Sequence, residues 1–295
     1  MKENKFYSWL ARFNKDWPYK LDKLRMKLGL LKEQDWSELD KVFIVSTGRT
    51  GTKFFAHFLD EFSNVYGLHE PEPDFLELAI NYARNKVEKI EAIRRIEKNR
   101  RALCRSVKRQ RLEKYVESNN RFFSLLEPLD KIFNGNLKVI HIIRDGRDYV
   151  RSGMSRNWYN DKDEFAKKDL RLKATYFPED NYYNQWHQMS RFEKICWRWQ
   201  KKDGFIYQNI DKIDNTIRVK FEDIFKTDDY KSVFTIAEYI GLPQNETERM
   251  IDKMMGKEVN STKEYAISKW TEWDDERIDK FDEIAGEHME KYYDY

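Results

Sequence analysis

Residues Val42 to Phe58 have the sequence VFIVSTGRTGTKFFAHF, and the class of fold can be inferred from them. The first four residues form a β-branched and aromatic run that is typical of a buried strand. A polar loop with two glycines follows, and the run from Lys53 to Phe58 predicts a helix. Strand, loop and helix in this order bind phosphate well, because the helix start offers free backbone N–H groups and a favourable dipole.

The loop between this strand and helix has features of an anion site. Gly48 and Gly51 let the backbone turn and approach an anion closely, and Arg49 adds a planar fork of donors. Only two residues separate the glycines, and Thr52-Lys53 follows. Nucleoside triphosphatases have four residues between the first glycine and a Gly-Lys-Ser/Thr ending, so this is a different motif. Taken alone, the loop also fits an ordinary strand-to-helix turn.

Length and composition set limits on the class of protein. With 295 residues the chain can bury a sizeable core, and we expect one α/β domain. The 55 basic and 52 acidic residues nearly balance, so net charge gives no argument for a nucleic-acid partner. Cys104 and Cys196 lack metal-ligand spacing, and no transmembrane segment is expected because no long apolar run occurs. We therefore expect a soluble protein of a reducing compartment, the cytoplasm.

A second polar segment follows a short apolar run and contains His69 and Glu70. Pro71 and Pro73 force an extended path just beyond them, so both side chains are expected at a strand end. Ligands of an open parallel sheet collect at the carboxyl ends of its strands. His69 and Glu70 are therefore expected to face the same crevice as Arg49, although a polar surface loop is an alternative.

The segment from Arg84 to Arg121 is strongly basic, with 14 basic and 5 acidic residues. Its apolar residues recur at spacings of three and four, which predicts one long helix or two. A solvated helix face is the ordinary interpretation of such a charge run. The alternative is a basic wall for an anionic acceptor or cofactor.

A second strand-to-loop motif lies in the middle of the chain. Residues 137–143 read LKVIHII, another buried-strand run, and Arg144 to Ser152 follow as RDGRDYVRS. If a helix begins near Gly146, the Ser152 hydroxyl falls on its early turns, where it can share an anion with the Arg144 guanidinium. A salt bridge from Arg144 to a neighbouring helix is the alternative.

Together the two motifs resemble the cofactor-binding signatures of sulfotransferases that use 3′-phosphoadenosine 5′-phosphosulfate (PAPS). In that family the first signature binds the 5′-phosphosulfate and the second binds the 3′-phosphate. The resemblance implies a helix-rich, three-layer α/β fold related to that of P-loop nucleoside triphosphatases, with a central, mostly parallel sheet flanked by helices. The resemblance covers residues 41–295. Two expected segments lie outside it, a basic helical insertion at about 81–121 and an N-terminal helical extension over residues 1–40.

The resemblance also implies a set of cofactor-binding residues. Phe221 takes the place of the aromatic residue that stacks on the adenine, at the end of a predicted strand. Lys263 lies where family members close a basic loop over the 3′-phosphate, although the Arg-Lys-Gly of cytosolic members is absent. The full implied set comprises Thr47, Gly48, Arg49, Thr50, Gly51, Thr52, Lys53, Phe54, Arg144, Ser152, Phe221 and Lys263.

The residue at position 49 bears on the acceptor. Arg49 takes the place of a basic residue that is lysine in cytosolic members and often arginine in carbohydrate and tyrosyl-protein sulfotransferases. The resemblance therefore favours the carbohydrate-modifying or the protein-modifying branch of the family, and we expect the acceptor hydroxyl to belong to a glycan or a glycolipid.

The resemblance implies in-line transfer of a sulfuryl group to that hydroxyl. By analogy with phosphoryl transfer, Arg49 and the backbone N–H groups of Thr50 to Lys53 would stabilise the leaving oxygen. A general base must lie within hydrogen-bond reach of the acceptor. Glu70 and His69 are the leading candidates, and Glu117, in an expected turn, is the reserve. No acidic metal-ligand pair is evident beside either loop, so no essential metal ion is expected.

Two other classes of protein compete with this interpretation. A nucleotide-dependent kinase would share the first strand, loop and helix, but it would need the Gly-Lys-Ser/Thr ending and an acidic residue for Mg²⁺. A nonenzymatic binder of anionic polymers would explain the basic segment and leave the two motifs to coincidence.

Overall fold

The computed structural model describes residues 39–255 and 264–293, together with residues 17, 20, 21, 24, 25 and 28. Lys263 and nearly all of the expected N-terminal extension, residues 1–40, lie outside the described residues. Both therefore stay predictions.

The described residues contain one sheet of five parallel strands in the order β2-β3-β1-β4-β5. The strands are β1 (Asp40–Val45), β2 (Val65–His69), β3 (Lys114–Ser118), β4 (Leu137–Ile143) and β5 (Thr216–Lys220). In the central strand, Val42 is in register with Val116 on one side and Lys138 on the other. Because β1 and β4 are parallel neighbours, the two predicted loops leave the sheet side by side at its carboxyl edge.

Alternate side chains of the central strand enter two separate hydrophobic cores. Phe43 and Val45 belong to one cluster, and Val42 and Ile44 belong to the other. Successive side chains of a strand point to opposite faces of the sheet, so both faces of this sheet are covered. Such burial on two sides is characteristic of parallel sheets and explains the continuous apolar run of β1.

Helices pack on each face. The face with Phe43 is covered by α2 (Leu76–Ala83), α3 (Lys89–Arg109), α4 (Leu126–Ile132), α5 (Gly146–Met154), α7 (Arg191–Ile210), α11 (Asp275–Phe281) and α12 (Glu287–Tyr292). The face with Val42 is covered by α1 (Thr52–Asp60), α8 (Phe221–Phe225), α9 (Lys231–Ile240) and α10 (Gln244–Met254). The remaining short helices are α6 (Glu164–Lys167), the 3₁₀ turns Asn120–Ser124, Ala174–Tyr176 and Trp270–Glu272, and the π turn Asp282–Gly286. These layers confirm the predicted three-layer α/β fold with a parallel sheet.

The predicted helical insertion at about 81–121 requires a correction. Its central part is helix α3, but residues 114–118 form strand β3, which lies between β2 and β1. This strand cannot be recognised from an apolar run in the sequence, because Lys114, Glu117 and Ser118 are polar. All three side chains are nevertheless buried. Glu117 therefore lies in a strand, and the expected turn at this residue is wrong.

Helix α7 is held close to the second motif. Ser190 caps its start and forms a capping box with Glu193. Further along, its Trp199 packs against Gly146 of α5, where an added Cβ would lie 2.7 Å from the indole ring. Only glycine at position 146 permits this approach, which places the middle of α7 next to both loops.

Candidate active site

The loop after β1 has a left-handed backbone at three positions. Gly48, Arg49 and Gly51 have φ values of 100°, 62° and 74°. A Cβ at Gly51 would also lie 2.6 Å from the Phe225 ring, so the backbone and the packing both require glycine there. Helix α1 begins at the next residue, Thr52. Its first N–H groups lack partners within the helix and are available to an anion.

Buried hydroxyl groups hold this loop in shape. The Oγ of Ser46 accepts a hydrogen bond from the N–H of Gly48 at 3.1 Å. It also accepts one from the Oγ1 of Thr50 at 2.7 Å. These two hydrogen bonds to Ser46 stabilise the turn, and Thr47 between them is buried as well.

A buried ammonium group braces the loop from helix α7. The Nζ of Lys202 donates to the carbonyl oxygen of Thr47 at 2.8 Å and to the Oδ1 of Asn120 at 2.7 Å. Burial lowers the pKa of Lys202 well below its ordinary value, and the charge of Arg198 lowers this pKa further. Lys202 thus fixes the loop to the segment that follows β3.

The side chain of Arg49 connects the two motifs. Its Nε donates to the Oγ of Ser152 at 3.0 Å. In turn, the Nη1 of Arg144 donates to the backbone oxygen of Arg49. The structure therefore brings together Arg49, Arg144 and Ser152, which we name the anion site.

Positive charge accumulates in the anion site. Burial lowers the pKa of the Arg49 guanidinium to about 10, and the charges of Arg156 and Arg144 act in the same direction. Arg144 is 8% exposed, and burial lowers its pKa too. The Nε atoms of Arg144 and Arg156 are buried and have no hydrogen-bond partner among the described residues. A bound anion would relieve the repulsion and supply the missing acceptors.

Phe221 lies at the border of the anion site. The Cζ of Arg144 is 4.3 Å from the centroid of its ring. Phe221 is the first residue of helix α8 and not part of the preceding strand, which ends at Lys220. The aromatic ring is thus adjacent to Arg144.

Lys53 and Phe54 occupy the first turn of α1 with different side-chain environments. Lys53 is exposed, whereas Phe54 is buried and packs on Phe225 with the ring centroids 5.3 Å apart. Phe54 can therefore reach an anion only through its backbone N–H.

His69 and Glu70 lie at the carboxyl end of β2 and beside the loop. The Nε2 of His69 is 3.3 Å from the Oγ1 of Thr52. Glu70 accepts a hydrogen bond from Asn120 and forms an ion pair with Arg121, with 2.9 Å between Oε2 and Nη2. Burial lowers the pKa of His69, while the charge of Glu70 opposes this shift. Both candidate bases are therefore near the start of α1.

Glu117, the reserve candidate for the general base, lies inside the protein among hydrogen-bond donors. Its carboxylate is fully buried and accepts two hydrogen bonds of 2.7 Å from Arg100. Tyr115 and Asn119 donate two more at 2.6 and 2.8 Å. A carboxylate without exposed surface cannot reach an acceptor hydroxyl, so we no longer regard Glu117 as a candidate base.

A model of the sulfotransferase domain family matches residues 39–293. The chain belongs to the sulfotransferase family. Both motifs, the sheet and the anion site lie within the matched residues. No curated protein is detectably similar to this sulfotransferase in sequence.

Solved structures support the same fold at low sequence identity. Sulfotransferase STF1 from Mycobacterium tuberculosis H37Rv is 13% identical with a TM-score of 0.52, and the match covers 95% of this chain and 85% of that one. Sulfotransferase STF9 from Mycobacterium avium is 10% identical with a TM-score of 0.50, covering 87% and 77%. At these identities the likeness concerns the fold alone.

A pocket of about 170 Å³ opens next to the loop of this sulfotransferase. Its lining includes Arg171, Arg198 and Lys202, which the sequence analysis did not identify as site residues. Arg198 and Lys202 are four residues apart on α7, so they share a face of the helix. The signal that could have identified Arg198 and Lys202 is their position next to tryptophans that are buried, because charged side chains are rarely buried unless they are paired.

Two further properties concern membranes and metals. None of the helices in the described part of the chain is long and apolar enough to cross a membrane. Among the same residues, no group of three or more His, Cys, Asp and Glu side chains is arranged to hold a metal ion.

Proposed function

We propose that this sulfotransferase moves a sulfuryl group from PAPS to a hydroxyl of a carbohydrate or a glycolipid. The observation that carries the proposal is the 3.0 Å hydrogen bond between Arg49 and Ser152, which joins the two loops that we expect to bind phosphate. A nucleotide with phosphates on both its 3′ and 5′ oxygens needs two such loops, and the distance between them must not exceed the length of the nucleotide. Arg49 supports the choice of acceptor, because carbohydrate and tyrosyl-protein sulfotransferases often have an arginine at the matching position.

The residues present fit PAPS. The buried Nε of Arg144 lacks a partner among the described residues and would donate to the 3′-phosphate with Ser152. Gly48 and Gly51 keep the loop free of Cβ atoms where a phosphate would approach. When bound, PAPS supplies the sulfuryl group and departs as 3′-phosphoadenosine 5′-phosphate (PAP). We further propose Phe221 as the ring beneath the adenine.

The first loop would neutralise the charge of the leaving group. Residues 47–54 would contact the 5′-phosphosulfate mainly through backbone N–H groups at the start of α1. Arg49 keeps its proton at neutral pH, since burial lowers its pKa only to about 10. Its guanidinium would stabilise negative charge that develops on the leaving oxygen. Lys263 stays a proposed contact of the 3′-phosphate.

The acceptor proton would go to Glu70 or to His69. Glu70 is our first choice, because Arg121 and Asn120 hold its carboxylate beside the loop. His69 is the alternative, since burial lowers its pKa and favours the neutral imidazole that can accept a proton. Either group lies at a strand end, where a bound acceptor would be reached.

We also propose a location and a domain arrangement. Both cysteines are free and buried, which fits a reducing compartment, and we propose the cytoplasm. Residues 41–295 would form the catalytic domain, and residues 1–40 a helical extension.

Thermal-shift measurements with four ligands test the proposed donor. Because a ligand that binds only the folded state raises the melting temperature, we expect a clear rise with PAP and a smaller one with 5′-AMP. Stabilisation by ATP with Mg²⁺ but not by PAP would indicate a kinase. Stabilisation by heparin alone would indicate a binder of anionic polymers. Sulfate transfer from radiolabelled PAPS to a panel of glycans then tests the acceptor class.

A further inference from the structure

The pocket beside the first loop is cationic. Five of its lining residues are basic and none of its described lining residues is acidic. The basic residues are Arg49, Arg121, Arg171, Arg198 and Lys202. In a site that must receive a neutral hydroxyl, this concentration of charge requires an explanation.

Three of these cations already have oxygen partners within the protein. Arg121 forms ion pairs with Glu70 and Asp74. Arg171 forms one with Asp163 at 2.6 Å. Lys202 donates to backbone and amide oxygens, as described above. Their charges are therefore partly compensated, and Arg49 belongs to the anion site.

Arg198 differs from the others, because it has no carboxylate partner among the described residues. Its Nη1 donates to the hydroxyl of Tyr149, which is fully buried. Its Cζ lies 4.5 Å from the centroid of the Trp158 ring, a cation–π distance. These two contacts hold the guanidinium in place while leaving other N–H groups for a ligand. A fixed, planar fork of this kind is suited to carboxylate or phosphate.

The rest of the lining is apolar. Trp158 contributes its indole, and the other apolar lining residues are Leu76, Ile80, Phe123, Phe165, Leu170 and Leu172. The pocket thus combines an apolar wall with a pre-oriented arginine, Arg198, that has no carboxylate partner in the part of the chain that the structure describes. This combination selects a ligand with an apolar surface and one anionic group.

We infer that the acceptor carries an anionic group, a carboxylate or a phosphate, which Arg198 binds while the apolar part of the acceptor lies on the wall formed with Trp158. This inference rests on the proposed function, because it places the acceptor next to the loop that binds the donor. Arg198 is a specificity residue in this scheme. Burial and the charge of Arg198 lower the pKa of Arg171, so the two guanidinium groups are close enough to repel each other, and a bound anion would relieve that repulsion.

A binding experiment on the PAPS-saturated protein separates an acceptor site from the donor site. The probe is phenyl phosphate, which has an apolar ring and an anion but no hydroxyl to be sulfated. We expect it to bind the wild type when PAPS fills the donor site. We expect Arg198→Met to weaken this binding at least about tenfold, since a charge-assisted, bidentate contact is lost.

A matched control is Arg94→Met, which removes an exposed arginine of α3. It should bind phenyl phosphate as the wild type does. Equal binding by Arg198→Met and Arg94→Met would overturn the inference. Competition between phenyl phosphate and PAPS would also overturn it, because Arg198 would then serve the donor.

A kinetic comparison uses phenyl β-D-glucuronide and phenyl β-D-xyloside, which have the same hydroxyl groups and differ by one carboxylate. We expect the wild type to prefer the glucuronide in kcat/KM by about tenfold or more. Arg198→Met should remove the preference and retain transfer to the xyloside. Sulfation of both compounds at equal rates by the wild type would overturn the inference while leaving the proposed sulfuryl transfer intact. Failure of PAP and PAPS to bind would instead contradict the proposed function, whatever phenyl phosphate does.

Discussion

Arg100 and Arg144 are both buried arginines beside the central sheet, but their guanidinium groups have different surroundings. Arg100 is fully buried and donates to both carboxylate oxygens of Glu117 at 2.7 Å. Arg144 has no ion pair with a carboxylate among the described residues, and its buried Nε has no acceptor there. Its neighbour in the anion site is another arginine, Arg49.

This difference distinguishes a buried charge that stabilises the fold from a buried charge that is available to bind a ligand. Transfer of a charge from water to the interior costs several kcal/mol unless a partner compensates it. The Arg100 region is compensated within the chain, so its charges stabilise one arrangement of β3 and α3. We propose that a bound ligand completes the compensation of charge in the anion site, as it does in many functional sites. Substitutions in both regions test this contrast.

Glu70→Gln should give the largest effect and should act on turnover. We expect kcat to fall by about two to four orders of magnitude, because an amide cannot take the proton of the acceptor. Initial rates of sulfate transfer from radiolabelled PAPS measure this change, with the acceptor found in the glycan panel. Calorimetry provides the control, since the melting temperature should change little. A wild-type rate would exclude Glu70 as the base and leave His69.

Glu117→Gln should act on stability instead. Loss of this carboxylate leaves Arg100 buried without its counter-charge, and we expect the free energy of unfolding to fall by about 3–5 kcal/mol. Urea denaturation followed by circular dichroism measures the change. The folded fraction should still bind PAP with wild-type affinity. If the variant has normal stability but does not transfer sulfate, Glu117 takes part in the reaction and this assignment is wrong.

Arg49→Ala should reduce turnover with only a moderate loss of donor affinity. We expect kcat to fall by about 10²–10³-fold, the range seen when one donor to a developing negative charge is removed. Binding of PAP should weaken but stay measurable. Arg94→Ala, on the exposed face of α3, is the matched control. Near wild-type turnover in Arg49→Ala would remove this residue from the mechanism.

Arg144→Ala and Ser152→Ala should give the smallest effects, and on one ligand only. We expect Arg144→Ala to raise the Kd for PAP by about 10–100-fold, and Ser152→Ala by less, because a charge-assisted hydrogen bond is stronger than a neutral one. The Kd for 5′-AMP, which lacks the 3′-phosphate, should change little in either variant. Isothermal titration with both nucleotides distinguishes the two ligands. Equal losses for PAP and 5′-AMP would contradict the assignment to the 3′-phosphate.

Much of the fold follows from local sequence. The strands β1 and β4, the glycine-containing turns and the helices after them were predictable, because hydrophobic periodicity and glycine act over a few residues. The resemblance to sulfotransferases depended on these same two segments. Strand β3 was not predictable in this way, since Lys114 and Glu117 interrupt its apolar run. Its polar side chains are tolerated because partners such as Arg100 come from elsewhere in the chain.

The site shows the same division. Arg49, Arg144 and Ser152 were identified from motif spacing, and Glu70 and His69 from their position after a strand. Several other contributors were not identified, including Lys202 beneath the loop and Arg198 in the pocket. A cation in a helix gives no local sign of whether it faces water, a carboxylate or a ligand. Only the packing of α7 against α5 and the loop decides this.

Local sequence was enough to locate the two loops that we propose as phosphate-binding and to name the side chains they offer. Short-range physics sufficed for that, because strand burial, glycine turns and helix starts depend on neighbouring residues. Folding brings Arg49 to Ser152, 103 residues away, and pairs Glu117 with Arg100, whereas Arg144 and Arg198 have no carboxylate partner among the residues described. The physical reason is that compensation of a buried charge depends on distances between residues remote in sequence, and folding alone sets these distances.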